Sequence, residues 1–155
     1  MAKKPESELV SNRRAFHDYE VLETFEAGIL LQGTEVKSLK LHGGNLQDSY
    51  ILITSHLHVI LKGASISIYK FGNIHNHEEK RERELLLHKH EILKLKELSQ
   101  KQGLTLIPLS LYLKKGLIKV KIAVAKGKKA HDKREALKER EHKKEIDRAF
   151  RRQQE

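Results

Sequence analysis

The sequence contains no cysteine, which excludes disulfides, thiol catalysis and thiolate metal sites. It also lacks long hydrophobic runs: residues 104–113 are interrupted by Thr105, Pro108 and Ser110 and fall short of the roughly 18 apolar residues of a membrane helix. The first ten residues lack the apolar segment of a secretory signal. We therefore expect a soluble, cytoplasmic protein.

Aromatic residues are scarce, at 5% of 155 residues, whereas basic residues are abundant. The chain has 31 Lys and Arg against 21 Asp and Glu, a net charge of +10, and its pI is about 9.7. This balance favours a polyanionic partner, and nucleic acid fits that description best.

Half of the net charge lies in the last thirty residues, which hold 12 Lys or Arg and 7 Asp or Glu. Their few apolar side chains cannot build a core. Opposite charges four residues apart, such as Glu139 and Lys143, favour a helix that is marginal on its own. We predict a disordered lead-in over 1–11, one domain over 12–125, and a conditionally helical basic tail over 126–155 that is disordered when free.

Apolar and polar residues in short runs predict a mainly β domain, with strands at 19–26, 29–31, 50–54, 57–61, 65–69, 104–113 and 117–125. Ala27-Gly28 predicts a turn and hence a hairpin, the three middle strands a meander, and 71–84 a long exposed loop. Pro108 is expected at an edge or a bulge. With a short helix at 34–39 and one principal helix at 88–102, the pattern predicts a small antiparallel β-barrel of the OB-fold type.

No nucleophile elbow, phosphate-binding loop or zinc-protease motif occurs, so we predict no enzyme activity, no catalytic residues and no cofactor. His75 and His77, like His88 and His90, alternate in a way that would let two imidazoles reach one metal ion. Because no third ligand is evident, we predict no metal site and keep a histidine-dependent metalloenzyme as the weaker alternative.

Basic side chains flank or leave the predicted barrel and suit phosphate binding: Arg13, Arg14, Lys119, Lys121, Lys126, Lys128 and Lys129. Aromatic side chains offer stacking faces for bases: Phe16, Tyr19, Phe25, Tyr50, Tyr69 and Tyr112. Most of these rings are equally expected in the core, and alternating lysines also fit an ordinary solvated strand face.

Seven phrases in fixed order carry a family resemblance: Asn12-Arg-Arg-Ala-Phe-His-Asp-Tyr19, Phe25-Glu-Ala-Gly28, Gly33-Thr-Glu-Val-Lys-Ser-Leu39, Asp48-Ser-Tyr50, Leu85-Leu-Leu-His88, Gly103-Leu-Thr-Leu106 and Ala125-Lys-Gly-Lys-Lys-Ala-His-Asp-Lys-Arg134. From about Ser11 to the C-terminus the chain resembles the SmpB family of bacterial SsrA-binding proteins. The resemblance implies an OB-fold that binds the tRNA-like domain of transfer-messenger RNA (tmRNA, or SsrA RNA). It also implies delivery of this RNA to stalled 70S ribosomes, the ribosome rescue called trans-translation.

The same resemblance implies roles for individual residues. RNA contacts fall on Asn12, Glu26, Leu86, His88 and Lys119, to which the basic pattern adds Arg13 and Lys121. Positions for the decoding centre and the empty mRNA channel of the ribosome, with its small-subunit rRNA, fall on the tail residues Lys126, Gly127, Lys128, Lys129, His131, Asp132, Lys133, Arg134, Ala149 and Phe150.

The chain departs from the family pattern at residues 76–84, which are more acidic than usual, and at residues 41–44. From charge and predicted fold alone, an alternative is a generic OB-fold RNA-binding module whose basic tail binds without specificity.

Overall fold

The computed structural model describes residues 8–72 and 76–128, together with Lys144, Ile146 and Arg148. In chain order its elements are β1 (Glu8–Ser11), α1 (Arg13–Asp18), β2 (Tyr19–Ile29), α2 (Gly33–His42), β3 (Gly44–Asn45), β4 (Tyr50–Ile53), β5 (Val59–Lys62), β6 (Ser65–Ile66), β7 (Arg83–Leu86), α3 (Lys89–Ser99), β8 (Leu104–Lys114) and β9 (Leu117–Gly127). Within these described residues, no helix has the length and apolar character needed to span a bilayer.

Seven of the strands form one antiparallel sheet in the order β1-β8-β9-β2-β7-β5-β4, and β3 pairs with β6. The sheet curls: β4, at one end of that order, lies close to β8, which is near the other end. The predicted mainly β class is confirmed. The predicted last hairpin is also confirmed as β8 and β9, which pair along their full lengths.

The main core lies on the concave side of the sheet. In β9, Ile118, Val120, Ile122 and Val124 alternate toward this core and are buried, while the residues between them face the other way. Burying each of these side chains contributes about 1.5–3 kcal/mol relative to exposing it.

A second, smaller core forms where α1 covers part of the outer side of the sheet. Ala15 of α1 packs with Ile107, Leu109, Ala123 and Ala125 of β8 and β9. The small side chains on β9 leave room for the helix to approach. The outer side of β9 is therefore covered toward its C-terminal end and open toward its N-terminal end.

The long hairpin contains a bulge at Pro108, which is one of the two positions, an edge or a bulge, that the sequence predicted for this residue. Pairing between β8 and β9 shifts register between Pro108 and Ser110. Proline has no N–H to donate to the ladder, and the bulge accommodates it within an inner strand.

Helices α2 and α3 begin in the same way. The backbone N–H of Gln32 donates to the carboxylate of Glu35 at 2.8 Å, and that of His88 donates to Glu91 at 3.1 Å. Such contacts satisfy backbone donors that have no partner inside the helix. The prediction of one principal helix is wrong, because α2 spans 10 residues and α3 spans 11.

The predicted hairpin at Ala27-Gly28 is also wrong, because β2 continues through both residues. Gly28 pairs with Lys119 on one side and with Leu86 on the other. Hydrogen bonding to two neighbouring strands overrides the local turn tendency of glycine. An added Cβ at Gly28 would lie 3.4 Å from the Cβ of Leu86, so glycine here permits a close strand approach.

Three further expectations differ from the structure. Residues 8–11, expected in the disordered lead-in, form β1 and pair with β8. The third strand of the predicted meander pairs with β3 instead of β5, although β4 and β5 pair as predicted. The predicted exposed loop contains a buried His77 and leads into β7, whose first residue, Arg83, is completely buried.

Candidate nucleic-acid interface

The open half of the outer sheet side brings most of the predicted RNA-contact residues together. Glu26 pairs directly with Lys121, and Gly28 lies between Lys119 and Leu86. Directly paired residues of antiparallel strands point to the same face. With Tyr112, which pairs with Lys119, these side chains form what we call the β2–β9 face: Glu26, Leu86, Tyr112, Lys119 and Lys121.

Glu26 is the polar centre of the β2–β9 face. Its Oε2 accepts a hydrogen bond of 2.5 Å from the Tyr112 hydroxyl, and Lys114 Nζ lies 3.2 Å from its Oε1. The Tyr112 hydrogen bond, followed by Lys114 and Lys119, lowers the pKa of Glu26 despite partial burial. Burial, followed by the contact with Glu26, raises the pKa of Tyr112. Glu26 is therefore a carboxylate, and Tyr112 a neutral hydroxyl, at neutral pH.

Leu86 and His88 extend the face beyond β2. Leu86 is 50% exposed. His88 is exposed immediately before α3, and its ring stacks on that of His90 with centroids 5.6 Å apart and planes 6° apart. An exposed apolar side chain and flat rings both suit contact with a base or a ribose.

Asn12 and Arg13 lie where α1 begins. Asn12 is buried, and its side-chain amide donates to the carbonyl of Pro108 at 2.9 Å while its backbone N–H donates to Leu109. The side chain of Asn12 therefore anchors α1 on the bulge of β8. Arg13, the first residue of the helix, is exposed and available to a ligand.

The chemistry of the β2–β9 face suits RNA. Lys114, Lys119 and Lys121 supply ammonium groups, which suit phosphates. Glu26 is an acceptor only, and a carboxylate among lysines suits the exocyclic amino group of a base. The face therefore combines phosphate binding with a group that is able to select a base.

The start of the basic tail is fixed to the domain. Lys126 and Gly127 are exposed and belong to β9, where they pair with Glu20 and Tyr19. The next residue, Lys128, donates from its backbone to Asp18 at 2.9 Å and from its Nζ to Phe16 at 3.0 Å, in both cases to a carbonyl of α1. A cation at the carbonyl end of a helix is favourable.

Most of the predicted tail residues lie outside the described residues: Lys129, His131, Asp132, Lys133, Arg134, Ala149 and Phe150. Of the later tail, Lys144, Ile146 and Arg148 are described; their backbone is helical and their side chains are exposed. Ile146 exposes 54% of its surface.

His77, a member of the first predicted histidine pair, has other partners. His77 is buried, with Nδ1 2.8 Å from the Thr34 hydroxyl and Nε2 3.0 Å from the carbonyl of Ile66, so both of its ring nitrogens are engaged. His75 lies outside the described residues. Across 8–72, 76–128 and the three described tail positions, no three His, Asp or Glu residues are grouped to hold a metal ion.

Sequence reasoning missed Lys114 as a member of this interface and considered Tyr112 as a stacking ring or a core side chain. Both contact Glu26, which is more than 80 residues earlier in the chain. Alternation along β8 was the available signal, because Tyr112 and Lys114 follow each other on one face of the strand.

The comparisons with known proteins bear on the whole chain. A family model described as "SmpB protein" matches residues 9–152. The chain belongs to the SmpB family. Curated SmpB-family relatives carry the name SsrA-binding protein. The relative from Protochlamydia amoebophila is 60% identical over 152 residues, covering 98% of this chain and 99% of its own. The relative from Chlamydia muridarum is 57% identical over 145 residues, covering 94% and 95%.

A solved structure also resembles this SmpB-family chain. It is described as "tmRNA-SmpB: a journey to the center of the bacterial ribosome". The match has a TM-score of 0.68 and 43% sequence identity, and it covers 83% of this chain and 93% of the other. The SmpB fold is therefore shared across nearly the whole of that chain.

Proposed function

We propose that this SmpB-family protein binds the tRNA-like domain of tmRNA and delivers it to stalled ribosomes in the cytoplasm. The observation that carries the proposal is the β2–β9 face, where lysines surround a carboxylate held by Tyr112. The names of the relatives and the ribosome-bound neighbour support the same partners. The protein acts by binding and positioning RNA, not by catalysis.

In this proposal the β2–β9 face holds the tRNA-like domain. Lys119, Lys121 and Arg13 of α1 contact phosphates, while Glu26 and Leu86 contact a base or its ribose. Tyr112 keeps the carboxylate of Glu26 at a fixed position, so less conformational freedom is lost on binding.

A comparison of two RNAs tests this assignment. Filter binding of the tRNA-like domain and of an unrelated structured RNA of equal length, at several salt concentrations, measures both affinity and salt dependence. We expect the tRNA-like domain to bind more tightly at every salt concentration. Equal affinities and equal salt slopes would instead identify a generic RNA-binding module with a non-specific tail.

The tail has a separate role in this proposal. The tail, which begins at Lys126 on the end of β9, enters the decoding centre and the empty mRNA channel, where rRNA phosphates order the residues beyond Lys128 as a helix. Its attachment beside α1 gives the tail a fixed starting point.

A truncation separates the tail from the domain. A chain ending at Ala130 keeps every contact of the β2–β9 face described above, so its affinity for the tRNA-like domain should stay close to that of the full chain. Peptide tagging on stalled ribosomes should be lost. Tagging at the full rate by the truncated chain would refute the role of the tail.

A further inference from the structure

The segment before residue 73 exposes apolar side chains outside the interface described above. Phe71 is 73% exposed and Ile68 is 51% exposed. The rings of Tyr69 and Phe71 meet edge to face, with centroids 5.8 Å apart and planes at 71°. We call Tyr69 and Phe71 the aromatic platform.

The backbone under the aromatic platform is held by its neighbours. Asn76 donates from Nδ2 to the carbonyl of Tyr69 at 2.8 Å and accepts from the Tyr69 N–H at 3.2 Å. The N–H of Gly72 also donates to the carbonyl of Tyr69, at 2.9 Å. An added Cβ at Gly72 would lie 2.5 Å from Nδ2 of Asn76, so a larger residue here would have to displace the Asn76 amide. The loop therefore holds its rings in place before any ligand binds.

The loop is also fixed to α2. The buried Ser38 donates its hydroxyl hydrogen to the carbonyl of Ser67, and His77 connects Thr34 of α2 to the carbonyl of Ile66. These contacts keep the exposed side of α2 next to the platform.

Basic side chains accompany the rings. Lys37 of α2 places its Nζ 5.7 Å from the centroid of the Tyr69 ring. Lys40, one helical turn further, and Lys70, within the loop, are both exposed. Exposed rings next to ammonium groups are what proteins use to bind unpaired nucleotides, because the rings stack on bases while the cations contact phosphates.

We propose that the aromatic platform is a second RNA-contact site, in which an unpaired base stacks on Phe71 and Lys37, Lys40 and Lys70 contact the adjoining phosphates. The site shares no residue with the β2–β9 face. This proposal depends on the proposed function in one respect: the proposed function supplies the two candidate RNAs, tmRNA and rRNA.

Substitutions of Phe71 test the stacking. Phe71→Ala removes the ring, Phe71→Leu keeps an apolar side chain without a π face, and Phe71→Trp keeps a stacking ring. Each variant of the full chain is titrated against the isolated tRNA-like domain in one arm, and against purified ribosomes with an empty mRNA channel in the other. Leu22→Ala is the matched control, because Leu22 is 51% exposed on β2 and lies outside the platform.

We expect Phe71→Ala and Phe71→Leu to weaken binding by about 5- to 100-fold in one arm, which identifies the RNA that supplies the base. Phe71→Trp and Leu22→Ala should bind as the unsubstituted protein does. Unchanged binding of Phe71→Ala in both arms would overturn the proposal. A loss with alanine that leucine restores would also overturn it, because it would indicate an apolar protein contact instead of stacking.

The unsubstituted protein provides the reference for the proposed function. If it binds neither RNA, the proposed function itself fails. If it binds and the Phe71 variants bind equally well, only the platform fails.

Discussion

Arg83 donates a hydrogen bond from Nε to Oε2 of Glu35 at 2.6 Å, and neither side chain is accessible to solvent. The other carboxylate oxygen of Glu35 accepts from Arg81, and Arg83 also donates to the carbonyl of Ala64 at 2.9 Å. One carboxylate on α2 therefore binds two arginines at and just before β7, and it fixes the helix to the sheet.

Removing that carboxylate should destabilise the protein strongly. Glu35→Ala leaves the guanidinium of Arg83 buried without its counter-ion, so we expect the free energy of unfolding to fall by about 3–5 kcal/mol. Urea unfolding followed by circular dichroism measures the loss. Glu23→Ala is the control, because it removes the exposed pair between Glu23 and Lys94 and should cost less than about 1 kcal/mol. Equal losses of unfolding free energy for the two variants would contradict the role of Glu35 as the buried counter-ion of Arg83.

Acid should weaken the same ion pair. Burial raises the pKa of Glu35, but hydrogen bonds from Arg81, from the N–H of Gln32 and from Arg83 outweigh it, and the pKa is lowered. With a folded pKa below the unfolded value of about 4.3, the carboxylate stabilises the fold above that pH. This contribution is lost as the pH falls through the folded pKa.

Unfolding free energies between neutral pH and pH 3 check this expectation. The unsubstituted protein should lose more stability on acidification than Glu35→Gln, which has no carboxylate to protonate at this position. Parallel pH profiles for the two proteins would show that other carboxyl groups cause the acid sensitivity.

The ion pair also shows where sequence reasoning reached its limit. Arg83 lies in a run of charged residues that reads as solvated, and its partner is 48 residues away, so no local pattern marks it as buried. The last hairpin was predictable because alternation within β8 and β9 is local. The strand at Gly28 was not predictable in this way, because the surroundings of Gly28 come from β7 and β9 and not from its sequence neighbours.

Several residues of the candidate interface were predicted from the sequence, and their role in RNA binding stays a prediction. Lys119 and Lys121 were proposed from their positive charge beside the predicted barrel, and Glu26, Leu86, His88 and again Lys119 from family resemblance. The contact between Glu26 and Tyr112 was not predictable, because it depends on the register of β2 and β8 against β9. The anchoring role of Asn12 was missed for the same reason, since its acceptor is the carbonyl of Pro108 at the bulge.

Two residues of the β2–β9 face should affect RNA binding differently. Lys119→Ala should weaken binding to the tRNA-like domain and to unrelated RNA alike, and reduce the salt slope by about one. Glu26→Ala should cost about 1–3 kcal/mol for the tRNA-like domain alone, although it makes the face more positive. Filter binding at several salt concentrations measures both, with the exposed Lys101→Ala as a control. Tighter binding by Glu26→Ala would show that its carboxylate only repels RNA.

Two glycines should respond in opposite ways to alanine. A Cβ at Gly44 would lie 2.6 Å from the backbone oxygen of Ser65, so Gly44→Ala must displace the pairing of β3 with β6 and lower the melting temperature. Gly33 has no atom within 4 Å of such a Cβ and begins α2. Gly33→Ala should be neutral, or stabilising by up to about 1 kcal/mol. Calorimetry measures the melting temperature of each variant. Similar decreases for the two variants would contradict the close contact between Gly44 and Ser65.

Strand β9 fixes the distance between the β2–β9 face and the start of the tail. Lys119 lies in the β2–β9 face and Gly127 lies at the start of the tail, and the strand between them pairs with a neighbour on each side. At about 3.4 Å per residue, the eight steps span about 27 Å. A flexible connection of the same length would allow many separations, whereas a strand held on both edges allows one. The spacing between bound RNA and the first tail residue is therefore built into the sheet, and changing the tail sequence would leave it unaltered.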